Sequence, residues 1–380
     1  MAKFTFANLA QGNVPEANIT IYDDENTPLV LGAEQQLGRA GAGGSVYELK
    51  DAPDYCVKLF HPKTLADEGK RTRILATLEA MQEQPACARD SRLAWPLGLV
   101  RDKDGAKIGY VMRRIPSGFK PFKSLFGGAA AVSRNFPRWG RRELALTAKN
   151  FVDTLIFLED QGVRPADFNP ENFMVGEDGS VMFIDCDSFM LFGRSGKAYA
   201  SEMYFPDCAA PEILRNPEIA RGARSVEQTR FSAAVIAFML VMIGMHPYSY
   251  ARSEDGSATK SPEENIVAGK TALGSGTGCM MASHWHKLWT WLTGQLQVAF
   301  KDTFRAGHSD PCARTHLDVL SRELKRFARE CERTPERNRL SQDVRKPHNA
   351  NRSFADVPSA LDHSSAMQGN RAYRSFGIHN

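Results

Sequence analysis

The 380-residue chain has no CxxC pair and only seven cysteines, Cys56, Cys87, Cys186, Cys208, Cys279, Cys312 and Cys331, an odd and scattered set. That pattern argues against a disulfide framework and fits reduced thiols. No hydrophobic run reaches the roughly 20 residues of a membrane helix, and the longest, 231–245, reads as a core helix. The opening Met-Ala-Lys-Phe-Thr-Phe offers no apolar stretch for export, so the expected location is cytoplasmic. Charge of one sign is also missing: 48 Lys and Arg face 44 Asp and Glu, a formal net charge of +4. Without a broad basic field, neither nucleic acid nor membrane is expected as a partner. There is no internal repeat.

What is present is apolar residue in quantity, 42% of the chain, enough for a large two-lobed domain. Residues 18–22 and 28–31 form β-branched runs around a polar turn, and further strands are predicted at 45–49, 55–60, 93–97 and 108–112. A single helix over 65–81 interrupts them. After a Gly/Pro/Lys/Arg-rich connector at 116–140, Leu144, Ala148, Phe151, Leu155 and Leu158 mark a long amphipathic helix. Short β runs follow at 172–175 and 180–184, and the pattern is then helical to about 332. Few apolar residues occur in 333–380, which reads as a disordered tail.

Chemistry concentrates in two places. Asp167, Asn172 and Asp185 fall on predicted loops at the ends of short strands after the long helix. This spacing suits phosphoryl transfer: one carboxylate meets a hydroxyl nucleophile, while an amide oxygen and a second carboxylate hold Mg²⁺. Upstream, Gly38, Gly41 and Gly44 precede Val46 in a predicted strand–turn–strand, and Lys58 stands on the next strand. Glycines let backbone N–H groups close over phosphates, and such a lysine reaches the α- and β-phosphates.

With Lys58-Leu-Phe-His-Pro62, Ala94-Trp-Pro96, Gly109-Tyr-Val-Met112, Asp167-Phe-Asn-Pro-Glu-Asn172, Ile184-Asp-Cys-Asp-Ser-Phe189 and His246-Pro-Tyr248, the sequence resembles protein kinases over roughly residues 30–330. It is most similar to a bacterial Ser/Thr-kinase-like branch often encoded beside von Willebrand factor A proteins and PPM-type phosphatases, which that resemblance makes candidate partners. The resemblance implies an α+β, protein kinase-like bilobal fold. An extension at 1–19 would precede a β-rich N-lobe at 20–115 and a mainly α C-lobe at 116–332, with Mg-ATP, or Mn²⁺ as the metal, in the cleft between them.

Carried over residue by residue, it makes Asp167 the base and Asn172 and Asp185 the metal ligands. Lys58 would pair with a helix carboxylate, Glu68 or, as runner-up, Glu79. Gly38, Gly41, Gly44 and Val46 would cover the phosphates. Met112 would be the gatekeeper, and Arg113 to Ile115 the adenine-binding hinge. Glu212, in Ala210-Pro-Glu212, would pair with a late helical arginine, Arg314. The implied reaction is γ-phosphoryl transfer to protein Ser or Thr hydroxyls, autophosphorylation included. The rivals are a nucleotide-binding scaffold and a small-molecule phosphotransferase.

Several positions depart from the family pattern. The phosphate loop has one extra residue in its first gap. Pro165-Ala166 replaces His-Arg, Asn169 replaces a lysine, and Thr229 replaces a bracing aspartate. Asp187 replaces the glycine of Asp-Phe-Gly and is expected to be solvated. The cluster Arg134, Arg138, Arg141 and Arg142 reads as a solvated helix face. Cys279, His284 and His286 match no zinc spacing and read as packing or surface.

Overall fold

The computed structural model describes residues 19–32, 35–38, 43–193, 196–254, 256, 258–274 and 277–340. Gly41, most of the expected N-terminal extension, and 341–380 of the expected tail lie outside these. The chain forms two compact units: residues 1–119, 161–163 and 182–199 make the first, and 120–160, 164–181 and 200–380 the second.

The first unit is built on seven antiparallel strands: β1 (Ile19–Tyr22), β2 (Pro28–Leu31), β3 (Gln36–Leu37), β4 (Gly44–Glu48), β5 (Tyr55–Phe60), β6 (Gly98–Arg101) and β7 (Lys107–Arg113). Their spatial order is β2-β1-β6-β7-β5-β4-β3. Alternation on β5 sends Val57 and Leu59 into a core with Ile21, Leu31, Val100 and Val111, and therefore turns Cys56 and Lys58 to the opposite face. The strand expected at 93–97 is reduced to a single bridge at Leu93, and β6 begins at Gly98. Pro96 cannot donate to a ladder, and the segment is held by other bonds: Leu93 bridges Phe183 in parallel, Ala94 N donates to Phe183 O at 2.8 Å, and Trp95 Nε1 donates to Met81 O at 3.0 Å.

The helix expected at 65–81 is broken in two. Pro62–Ala66 forms a short helix, Asp67 is extended, and α1 (Glu68–Gln82) restarts with the Asp67 carboxylate capping Lys70 N at 2.9 Å.

In the second unit, α2 (Arg141–Asp160), α3 (Val226–Val241) and α4 (Leu317–Arg333) carry the core. From Ala233 to Val241 α3 is apolar all round, as suits a buried helix, and a Ser225–Gln228 capping box starts it. It ends four residues before the expected 245. Gly244 sits at φ 90° and passes so close to Phe126 that a Cβ would lie 2.0 Å from its carbonyl oxygen, so the chain must leave the helix there. The expectation of a solvated face fails at Arg141. Arg141 is fully buried, donating to Val241 O at 3.1 Å and Leu288 O at 3.0 Å and stacking on Phe327. Residues 335–338 form a helical turn, and Asn338 Oδ1 accepts from Arg142 N at 2.8 Å, so order extends past 333. Among the described residues no helix is long and apolar enough to cross a membrane, and no cluster of three His, Cys, Asp or Glu side chains could hold a metal.

The Arg314–Glu212 pair forms as a fork of 2.8 and 2.7 Å, although Arg314 follows a 3₁₀ turn rather than lying in a helix. Its guanidinium also reaches Gly307 O and Glu227 O and lies over Phe231. With Arg314 fully buried, Arg314→Ala should destabilise the protein by about 3–5 kcal/mol, because Glu212 loses its counter-charge; equilibrium urea unfolding measures this.

His246 provides a pH test. Its Nε2 bonds Asp207 O at 2.8 Å, Tyr248 N donates to its Nδ1 at 3.2 Å, and burial lowers its pKa from 6.5 to about 4. Below pH 6.5 the unfolded chain takes up a proton that the native site refuses. Stability is therefore complete above 6.5 and falls as pH drops toward 4, by about 3 kcal/mol. In urea titrations His246→Gln should flatten that part of the wild-type profile.

Candidate active site

The register β4–β5–β7 aligns Val46 with Lys58 and Lys58 with Tyr110, so the three side chains share one face of the first unit's sheet. Two residues along, Cys56 pairs with Met112 on that face. Two glycines permit this close packing around β5. A Cβ on Gly44 would lie 2.3 Å from Leu59 O, and one on Gly109 would lie 2.1 Å from Lys58 O. Gly44 is thus required by strand contact, whatever it offers a phosphate. Gly38 adopts φ 65°.

Lys58 Nζ donates to Asp185 Oδ1 at 2.5 Å and to Asp187 Oδ1 and Oδ2 at 2.8 and 2.9 Å. Tyr110 Oη donates to Asp187 Oδ1 at 2.6 Å. The local fold explains the convergence. Asp185 takes a left-handed conformation, φ 58° and ψ 36°, and starts the 3₁₀ turn Cys186–Ser188, whose Ser188 N and Oγ return to Asp185 O at 3.0 and 2.8 Å. The turn brings the two carboxylates, separated by Cys186, to one ammonium. Burial opposes the charge on Lys58, but Asp185 and Asp187 outweigh it and hold the pKa above the usual lysine range. Burial and the neighbouring Asp185 charge raise Asp187 against the pull of Lys58. Burial, then Asp187 and Asp185, raise Tyr110 well above 10, so its hydroxyl stays a donor.

Glu68 and Glu79 do not pair with Lys58. Glu68 lies exposed in the first turn of α1, where the helix dipole favours a carboxylate. Glu79 points outward and pairs with Lys107. The expectation that Asp187 is solvated is overturned as well, since its side chain is only 14% exposed. What sequence reasoning missed is the role of Asp187 and Tyr110 beside Lys58. The available signals were the second acid, Asp187, two residues after Asp185, and the even spacing of Tyr110 from Met112.

Of the expected adenine contacts, Met112 is buried and Arg113 ends β7, its carbonyl accepting from the Cys56 thiol at 3.8 Å. Arg114 N donates to Asp54 O at 2.8 Å, and Ile115 is half-buried.

In the second unit, Asp167 and Asn172 are buried and joined, Asn172 Nδ2 donating to Asp167 Oδ2 at 3.1 Å. That bond leaves the Asn172 amide oxygen as an acceptor for a cation. Asn169 does not stand in for a cation: its side chain caps the turn Pro170–Asn172, accepting from Glu171 N at 3.0 Å. Below the loop, Phe151, Phe168 and Phe173 pack with centroid distances of 4.9 to 6.5 Å and fix it to α2. Thr229 Oγ1 bonds back to Ser225 O. Two arginines tie neighbouring segments together: Arg164 Nη1 donates to Arg224 O at 3.0 Å, and Arg224 Nη2 donates to Met203 O at 2.9 Å and Ser201 O at 3.5 Å.

No protein family model matches the chain. Among solved structures it resembles the ROP18 kinase domain, in complex with AMP-PNP and sucrose, at a TM-score of 0.52 and 14% identity over 85% of this chain and 88% of that one. The fold is therefore protein kinase-like, a β-rich N-terminal sheet followed by a mainly helical region.

In sequence the chain is 27% identical over 236 residues to protein kinase YegI of Escherichia coli K12, covering 62% of this chain and 34% of YegI. It is 27% identical over 217 residues to YegI of Escherichia coli O157:H7, covering 57% and 32%. The chain spans about a third of the length of these relatives. The fold is thus that of a protein kinase domain, and the sequence similarity to a protein kinase is distant.

Gly109→Ala should destabilise the protein by about 1–3 kcal/mol or more, because its methyl would meet backbone on β5 rather than a movable side chain. Thermal unfolding beside Gly105→Ala, whose site is open but strained at φ 82°, separates steric clash from the cost of positive φ.

Proposed function

We propose that the chain is an ATP-dependent protein kinase that transfers the γ-phosphoryl group of Mg-ATP to Ser or Thr hydroxyls of a protein, its own included. The observation that carries this reading is Lys58, a buried lysine kept charged beside Asp185 and Asp187. Such a cation binds and orients phosphate oxygens. The AMP-PNP in the ROP18 complex and the name of YegI support the same substrate and reaction.

Asp167 takes the proton of the incoming hydroxyl. The hydroxyl oxygen forms a bond to the γ-phosphorus as the bond to the β–γ bridging oxygen breaks, and ADP leaves. Asn172, through the amide oxygen left by its bond to Asp167, and Asp185, a third exposed, would be the oxygen donors for Mg²⁺ or Mn²⁺. The metal supplies charge neutralisation on the phosphates. Asn169 favours a second reading, a nucleotide-binding scaffold, because its side chain is committed to a turn where the family places a lysine.

Incubation with γ-labelled ATP and Mg²⁺ or Mn²⁺ should label the protein. Lys58→Met, Asp167→Asn and Asp185→Asn should each lower incorporation by roughly 100-fold or more. Absence of label in every sample, with a metal-dependent thermal shift by ATP retained, would overturn transfer in favour of the scaffold.

A further inference from the structure

We propose that Asp187, held by Tyr110, is the positioning residue for Lys58, in place of a helix carboxylate; as a statement about catalysis this rests on the kinase reading above. α1 carries only two acids, Glu68 and Glu79, and both are exposed, with Glu79 engaged by Lys107. No carboxylate of this helix is left to turn inward.

Asp187 fills that need from the opposite direction in the chain. It grips the ammonium with both oxygens at 2.8 and 2.9 Å, whereas Asp185 uses one. It is also the more buried partner, 14% exposed against 33% for Asp185. A bidentate carboxylate defines a direction as well as a distance. Tyr110 then fixes that carboxylate from the strand beside Lys58, because register places the two residues directly opposite. Lysine, carboxylate and hydroxyl form a closed set whose three backbones are fixed by one sheet and one 3₁₀ turn. A helix swing is therefore not needed to complete the lysine's ion pair. The turn that presents Asp185 presents its anchor too.

Two readouts test this on the full chain: steady-state kinetics in ATP, and acylation of Lys58 by an N-hydroxysuccinimide ester, followed by mass spectrometry relative to exposed Lys103. Asp187→Asn should raise KM for ATP roughly tenfold or more, with a smaller fall in kcat. Lys58 should be acylated several-fold faster. Tyr110→Phe should shift both in the same direction by less, and the double variant by less than the product of the two. Glu68→Gln and Glu79→Gln should leave both unchanged.

The inference is overturned if either glutamate variant reproduces the Asp187→Asn effects, or if Asp187→Asn leaves Lys58 reactivity at the wild-type value. Acylation needs no turnover, so failure of the wild type to transfer phosphate would count against the kinase reading while the ranking of variants still decides which residue holds Lys58.

Discussion

The first unit depends on keeping one ammonium charged inside the protein. Taking Lys58 out of water is costly unless opposite charge and hydrogen bonds replace the lost solvation, and removing one partner of such a set typically costs about 3–5 kcal/mol. Asp185 and Asp187 supply the charge, and Tyr110 satisfies one of the Asp187 oxygens. The rest of the local structure follows from this requirement. Asp185 stays in a left-handed conformation that few residues tolerate, Gly44 and Gly109 let β4 and β7 close on β5, and Cys186 turns into the interior between the two acids.

The second unit solves a different problem, holding a polar loop over an apolar interior. Asp167, Asn169 and Asn172 are all buried, and each has a defined neighbour: Asn172 bonds Asp167, and Asn169 bonds the backbone of the turn. Three phenylalanines form the platform. Side-chain order here is bought with backbone geometry, since Pro170 and the Asn169 cap start a 3₁₀ turn that leaves Asn172 facing Asp167.

The fold class was legible in the sequence because its signals are local. Alternation at 55–60 and the three-and-four spacing from Leu144 to Leu158 each report on their own segment, and both elements are present. The residue types for phosphoryl transfer were legible from spacing as well. The partners of Lys58 were not. They depend on which side of α1 faces inward and on the 3₁₀ turn that brings Asp187 to Lys58 and Tyr110 on the strand pair β5–β7. The buried Arg141 escaped for a similar reason: a run of arginines reads as surface until tertiary packing places two carbonyls and a phenyl ring around one of them.

The tether made by Arg224 has an evolutionary corollary. It engages the carbonyls of Ser201 and Met203, groups that every amino acid carries. These two bonds would survive replacement of the Ser201 or Met203 side chain, whereas replacing Arg224 removes both. A segment fastened in this way keeps its conformation and leaves its side chains open to selection for whatever they touch.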